Sequence, residues 1–264
     1  MNHQVEPAVQ VARDGTVGLI TLNRPGQINA VNDAIRTGLP DAIAEFDRDT
    51  GIRVILISGN GDRGFCAGAD VKEQRGAETP LEALHRMGLN PWIEGVATAR
   101  KPVLAAIHGA CMGGGMELAL ACDIRIASPD ARFALPEAKL GLIPGGGGTQ
   151  RLPRVVGLGP ALDMLITGRV IDAQEALRIG LVTRIADSRE TLLEHALEIA
   201  QGIAAMPPNA VIAAKRTAHT AATSPLAAGL ELEQTAFALL LTSEDRREAA
   251  AAFREKRPPV FTGR

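Results

Sequence analysis

The sequence predicts an α/β protein with parallel strand pairing in its first two-thirds and a helical appendage after it. Three observations carry this expectation. Apolar, β-branched runs recur at residues 53–58, 103–108 and 124–127, the composition of strands buried on both faces. Stretches of helical periodicity separate them, and strand–helix–strand alternation implies parallel pairing. From Thr191 onward the pattern is helical almost throughout, with Pro207-Pro208 and Ser224-Pro225 dividing it into three or four helices.

In chain order, residues 9–12 and 17–22 read as two strands joined by a hairpin turn at Asp14-Gly15. Asn32-Asp33 then starts a helix running to Asp47, whose apolar positions Ile35, Leu39, Ala42, Ile43 and Phe46 recur at helical spacing. Pro40 falls inside it and predicts a kink, because proline lacks the NH and its ring crowds the preceding turn. Residues 132–134 form a short strand. Asp172-Ala173-Gln174-Glu175 has capping-box spacing, and Gly180 closes that helix.

Bulk properties exclude several functions. The chain has 264 residues, enough for one large domain with an appendage. Its net charge of -2 offers no general attraction to nucleic acid or to an anionic membrane. Aromatics make up 3% and tyrosine is absent, so stacking platforms for single-stranded nucleic acid are not expected. The first ten residues lack a basic region followed by an apolar one, and no apolar run is long enough to span a bilayer. Three cysteines, Cys66, Cys111 and Cys122, sit in apolar surroundings; an odd number there predicts free thiols in a reducing, cytoplasmic setting.

The segment richest in chemical potential is His108-Gly109-Ala110-Cys111-Met112-Gly113-Gly114-Gly115-Met116-Glu117, which follows an apolar strand and enters an alanine-rich helix. Glycines at such a junction let a ligand approach the backbone, and the first NH groups of the helix are unpaired donors at its positive end. Glu117 lies about one turn beyond Gly114 and shares a face with that NH. The same glycines would equally permit close helix–strand packing, with Glu117 a solvated first-turn acid. Gly64-Phe65-Cys66-Ala67-Gly68-Ala69-Asp70 is a second small-residue loop after a strand, less polar than an exposed loop and suited to lie beneath something flat or apolar. Leu135-Pro136-Glu137 holds an acid at a strand end, where it serves either chemistry or a helix N-terminus.

Other motifs are decoys. Gly59-Asn60-Gly61-Asp62-Arg63-Gly64 has the spacing of a dinucleotide loop, yet no crossover helix opens on it and residues 78–82 are helical where the acid-bearing strand should be. The run from Gly145 to Gly148 with Thr149 lacks the lysine of a phosphate loop. Histidines 3, 85, 108, 195 and 219 show no metal-ligand spacing, and no G-x-S-x-G elbow is present. Nothing near Cys66 in sequence would activate its thiol, so it reads as a packed small side chain.

Taken in order, the motifs resemble the enoyl-CoA hydratase/isomerase (crotonase) superfamily over essentially the whole chain. The resemblance rests on Leu22-Asn23-Arg24-Pro25, Phe65-Cys66-Ala67-Gly68-Ala69-Asp70, Gly113-Gly114-Gly115-Met116-Glu117-Leu118-Ala119 and Cys122-Asp123-Ile124. It continues through Phe133-Ala134-Leu135-Pro136-Glu137, Gly141-Leu142-Ile143-Pro144 and Gly148-Thr149-Gln150-Arg151-Leu152. Leu165-Ile166-Thr167-Gly168, Glu175-Ala176, Gly180-Leu181-Val182, Asp245-Arg246-Arg247-Glu248 and Glu255-Lys256-Arg257 complete it.

The resemblance implies a crotonase-like spiral of ββα units over residues 1–200, holding the active site, and a helical oligomerisation region over 201–264, usually in trimers or hexamers. It implies an oxyanion hole from the backbone NH groups of Ala69 and Gly114, which stabilises the enolate-like intermediate of a thioester. It implies that Glu117 and Glu137 together hold a water for addition to a trans-2-enoyl-CoA, giving a 3-hydroxyacyl-CoA. Arg24, Ala30, Ala67, Gly68, Ala69, Asp70, Lys72 and Gly114 would contact the substrate, with Arg24 and Lys72 candidates for the CoA phosphates and Lys256 or Arg257 reaching a neighbouring subunit's site. No cofactor is expected beyond the CoA of the substrate, and no metal. Pro40 and the stretch Asn90-Pro91-Trp92 depart from the pattern near where the acyl chain would run. The alternatives are a sister reaction on the same oxyanion hole (dehydration, Δ3,Δ2-isomerisation, decarboxylation or thioester hydrolysis), an inactive RNA-binding or structural homologue, and an NAD-dependent oxidoreductase.

Overall fold

The chain winds in repeated turns, each laying one strand in a large sheet, one extended segment in a second layer, and then a helix. The computed structural model describes residues 6–70, 72–73, 78–89 and 92–264; Asn90 and Pro91 lie outside it, while Trp92 lies within. The first strands are β1 (Val9–Asp14) and β2 (Val17–Leu22), antiparallel and turned at Asp14-Gly15 as the sequence predicts. Helix α1 (Asp33–Arg48) follows, capped by the Asn32 side chain accepting from the Ile35 NH, and it buries the five predicted apolar residues. It runs through Pro40 without interruption.

Strand β3 (Val54–Gly59) comes next, then α2 (Pro80–Leu89), α3 (Trp92–Ala97), β4 (Val103–Ile107), β5 (Ala110–Met112) and α4 (Gly114–Ala121). After these lie β6 (Ile124–Ala127), β7 (Arg132–Ala134), a 3-10 turn (Glu137–Leu140), α5 (Gly148–Val156) and α6 (Leu158–Thr167). The remaining elements are β8 (Ile171–Asp172), α7 (Ala173–Arg178), β9 (Arg184–Ile185), α8 (Leu192–Ala204), α9 (Pro208–Thr220), α10 (Leu226–Leu241) and α11 (Glu244–Glu255).

The large sheet has the order β1-β2-β3-β4-β6-β9, and every pair after the first is parallel. Alternate residues of β3 serve two cores. Ile55 and Ile57 join the cluster that includes α1, α3 and α4, whereas Val54 and Leu56 join one built with Leu192, Ala196, Ala200 and Ala204 of α8. Covering both faces is what the uninterrupted apolar runs require.

The second layer positions the site. Strand β5 pairs parallel with β7, which pairs antiparallel with β8. Ahead of β5, Cys66 bridges to Cys111 and Val31 bridges to Ala69, both in parallel. Four successive turns thus send extended segments the same way through one layer. Their carboxyl ends emerge together at Ala69, at Gly113-Gly114 and just before Glu137.

The boundary expected between residues 200 and 201 falls inside α8, whose buried positions continue to Ala204. Beyond it, α9 and α10 contain no buried residue. Asp123 fastens α9 to the core through Lys215 and His219, each at 2.8 Å. Asp245 of α11 is 3% exposed and accepts from the NH groups of Thr262 and Gly263, folding the tail back. Among the described residues no helix is long and apolar enough to cross a membrane.

Candidate active site

Ladder register, not proximity in sequence, brings the candidate residues together. Met112 of β5 is level with Ala134 of β7, and the Gly113 NH donates to the Ala134 carbonyl at 2.9 Å. Two parallel strands leaving a sheet side by side therefore deliver Gly114 and Glu137 to one place. On the other flank, the Met112 NH donates to the Cys66 carbonyl at 2.9 Å, which lays the 66–69 loop along the start of α4. The approach is close: a Cβ built on Gly68 would lie 3.2 Å from the Gly114 nitrogen, and one on Gly114 would lie 3.8 Å from the Ala69 nitrogen.

Neither of those two amides has an acceptor among the described residues. Gly114 is the first residue of α4, where helical geometry leaves the NH unpaired. Ala69 sits in a parallel bridge whose two bonds run from the Val31 NH to the Gly68 carbonyl and from the Asp70 NH to the Val31 carbonyl, so its own NH is left over. Gly113 enters the helix at φ 50, in the left-handed region that glycine reaches without a Cβ penalty. The two small-residue loops thus bring two unpaired backbone donors close together.

Glu117 is no solvated first-turn acid. It is 5% exposed on a helix whose residues from Gly115 to Ala121 are all buried. Its Oε1 accepts from the NH groups of Gly146 at 2.7 Å and Gly148 at 2.8 Å. Burial pushes its carboxyl above the ordinary range, while those two amides and the Arg151 guanidinium act against the rise. Glu137 opens the 3-10 turn, and its Oε1 faces Gly113, where a Cβ would lie 2.9 Å away. Its Oε2 is buried without a hydrogen-bond partner among the described residues. Burial raises its pKa as well; its own backbone amide opposes this, and the charge of Glu117 adds to it. Two acids that each disfavour ionisation, one sensing the other, can divide the roles of proton donor and acceptor between them.

The other expected contacts are placed as follows. Ala30, Ala67 and Gly68 line the loop crossing beside Ala69, with Ala30 and Gly68 buried. The Arg24 guanidinium pairs with Asp70 at 2.9 Å and donates to the Ala30 carbonyl, which holds the Asp70 carboxyl below the usual carboxylate range. Lys72 is exposed, and its NH donates to the Asp70 side chain at 3.0 Å. Lys256 ends α11 at the surface, and Arg257 is engaged by Glu248 and Glu255. Cys66 is fully buried, its thiol pushed up to about 12 by burial, so it is packing and not a nucleophile.

Two further segments complete the site. The glycine run rejected as a phosphate loop is the cradle of Glu117: its amides bind a carboxylate of the same chain. Trp92 and Ile93 of α3 cover the site, Trp92 beside Gly114 and Ile93 against Gly146. Repeated glycines at 145–148 signalled an anion beneath the backbone; that the anion is a side chain some thirty residues earlier was not readable.

This spiral, with paired amides and paired acids at the ends of its second layer, defines a crotonase-like protein. The enoyl-CoA hydratase from Bacillus anthracis superposes with a TM-score of 0.92 at 39% identity, covering 97% of this chain and all of that one. Residues 12–264 match the enoyl-CoA hydratase/isomerase family, and the chain belongs to it. It is 44% identical to a probable enoyl-CoA hydratase of Rhizobium meliloti, covering 96% of this chain and 97% of that protein. It is 43% identical to the 2,3-dehydroadipyl-CoA hydratase of Escherichia coli, covering 96% and 98%.

Proposed function

We propose that this protein adds water across the double bond of a trans-2-enoyl-CoA, giving a 3-hydroxyacyl-CoA. The carrying observation is the convergence of two unpaired amides, at Ala69 and Gly114, with two acids of raised pKa, Glu117 and Glu137. The thioester oxygen accepts from both amides. As water bonds to Cβ, electron density moves to that oxygen, where each donor is worth roughly 3 kcal/mol in the transition state. Glu117, its Oε1 held by the backbone, takes the water proton on its other oxygen. Glu137, whose Oε2 is unpartnered, enters neutral and delivers its proton to Cα. One acid gains a proton as the other loses one, so exchange between them resets the pair. The chemistry draws on no metal or cofactor besides the CoA of the substrate.

Glu137→Gln tests the assignment. Crotonyl-CoA hydration, followed by loss of enoyl absorbance, should slow on the order of 100-fold or more. Near wild-type turnover would remove Glu137 from the reaction. Turnover of a β,γ-enoyl or malonyl thioester with no hydration of crotonyl-CoA would instead favour a sister reaction.

The same reading includes self-association. Leu226, Leu230, Phe237 and Leu241 of α10 are exposed at spacings that share one side of a helix containing no buried residue, an apolar face suited to another copy. Sedimentation should give a trimer of the 27.7 kDa chain or a doubled trimer, and a monomer at micromolar concentration would refute it. Three buried free thiols support a reducing, cytoplasmic location.

A further inference from the structure

Arg151 lies on α5, outside the groups that the proposed reaction uses, yet it reaches two of the segments that build the site. One guanidinium nitrogen donates to the Gly146 carbonyl at 2.9 Å, and the other meets Glu94 of α3 at 2.6 Å. The opposite side of Gly146 carries the NH that anchors Glu117 at 2.7 Å. Gly147 between them takes φ 101, and any Cβ there would collide with the guanidinium. The loop is thus shaped around this side chain. Glu94 stands one residue from Ile93 and two from Trp92, the pair that covers the site.

We propose that Arg151 is a positioning residue for Glu117: it clamps the peptide joining Gly146 to Gly147, which lies between the two amides that hold the carboxylate, and ties that stretch of loop to the α3 cover through Glu94. The clamp acts in two ways. It fixes the orientation of an NH donor, and it brings a positive charge near a buried acid without touching it. Among the described residues, the charged groups around Glu117 are Arg151 from α5, Glu137 from the 3-10 turn and, through Arg151, Glu94 from α3. Removing the cation or its anionic partner must therefore move the ionisation of Glu117 in opposite directions, which a purely structural brace would not do.

The test uses the full-length protein with 13C-labelled glutamate carboxyls, the Glu117 resonance being identified by its loss in Glu117→Gln. Arg151→Met should raise the Glu117 midpoint by about half a unit to one pH unit, and Arg151→Lys should return it most of the way. Glu94→Gln, on a side chain 55% exposed, should lower it. In crotonyl-CoA hydration Arg151→Met should cost about tenfold in kcat with little change in KM. A midpoint unmoved in both the Met and the Gln variants overturns the clamp, whatever happens to Tm. Should the Met variant not fold, Glu94→Gln decides alone: a downward shift supports the clamp and any other result overturns it. The link to turnover rests on the hydration reading. The titration does not, so a wild-type protein inert toward crotonyl-CoA would sink that reading and leave the clamp to be judged by its midpoints.

Discussion

Replacing Glu117 by glutamine separates what it costs to bury the acid from what the acid does. The glutamine carbonyl oxygen accepts the same two amides, from Gly146 and Gly148, so the loop keeps its anchor. The ionisation is lost. In the folded chain the Glu117 pKa is raised above its ordinary 4.5, chiefly by burial. A raised acid supports the fold fully below the unfolded value and loses that support as pH rises through the folded one. At pH 7 the wild-type protein therefore carries a penalty of about 1.4 kcal/mol for each unit of elevation, and the glutamine variant escapes it. In a chain this size that is about 3–5 °C in Tm per unit. Thermal unfolding at pH 7.5 and again near pH 4 reads the effect. The variant should be the more stable at the higher pH, with the advantage closing toward pH 4. Crotonyl-CoA hydration should meanwhile fall 100-fold or more. A variant no more stable than wild type at pH 7.5, or one that still hydrates within tenfold of it, refutes the account of a strained, ionising acid.

Further outcomes follow from the packing. Gly115→Ala would set a Cβ 2.7 Å from that of Cys66 and closer still to its carbonyl, prising the Ala69 loop from α4. A loss of about 1–3 kcal/mol in stability is expected, with a fall in kcat; unchanged turnover would mean the amide pair is not used. Asp123→Asn should unlatch α9. Burial works against this carboxylate, but His219, Lys215 and the Val103 NH hold its pKa below 3.8. Its contribution is thus present above that value and is lost as pH falls through the folded pKa. Hydrogen exchange across α9 should quicken in the variant at neutral pH, and in the wild type only in strong acid.

The fold was largely readable because its signals are local. Doubly buried strands are apolar throughout, and Asn32 and Asp172 announce helix starts through their own side chains. Pro40 shows the limit: a residue that should disturb a helix sits in one that continues, packed against Gly95 of α3. At the site, Gly114 and Glu117 could be paired from spacing alone, being one turn apart on one helix. Glu137 could not, because its nearness depends on the match of Met112 with Ala134 across a ladder. Ala69 needed a third segment in the same layer. The anchoring of Glu117 by Gly146 and Gly148 was least accessible, since no residue type at those positions distinguishes binding a foreign phosphate from binding the chain's own carboxylate.

That anchoring has a consequence for stereochemistry. A carboxylate has two equivalent oxygens only while it is free to rotate. With Oε1 tied to two main-chain amides, Glu117 becomes a base with a single working atom and a fixed heading. The direction from which it draws a proton is then set by the path of the backbone between Gly146 and Gly148, not by a rotamer that each encounter must select. Handedness in the product would be inherited from peptide groups, the part of a protein that side-chain substitution alters least.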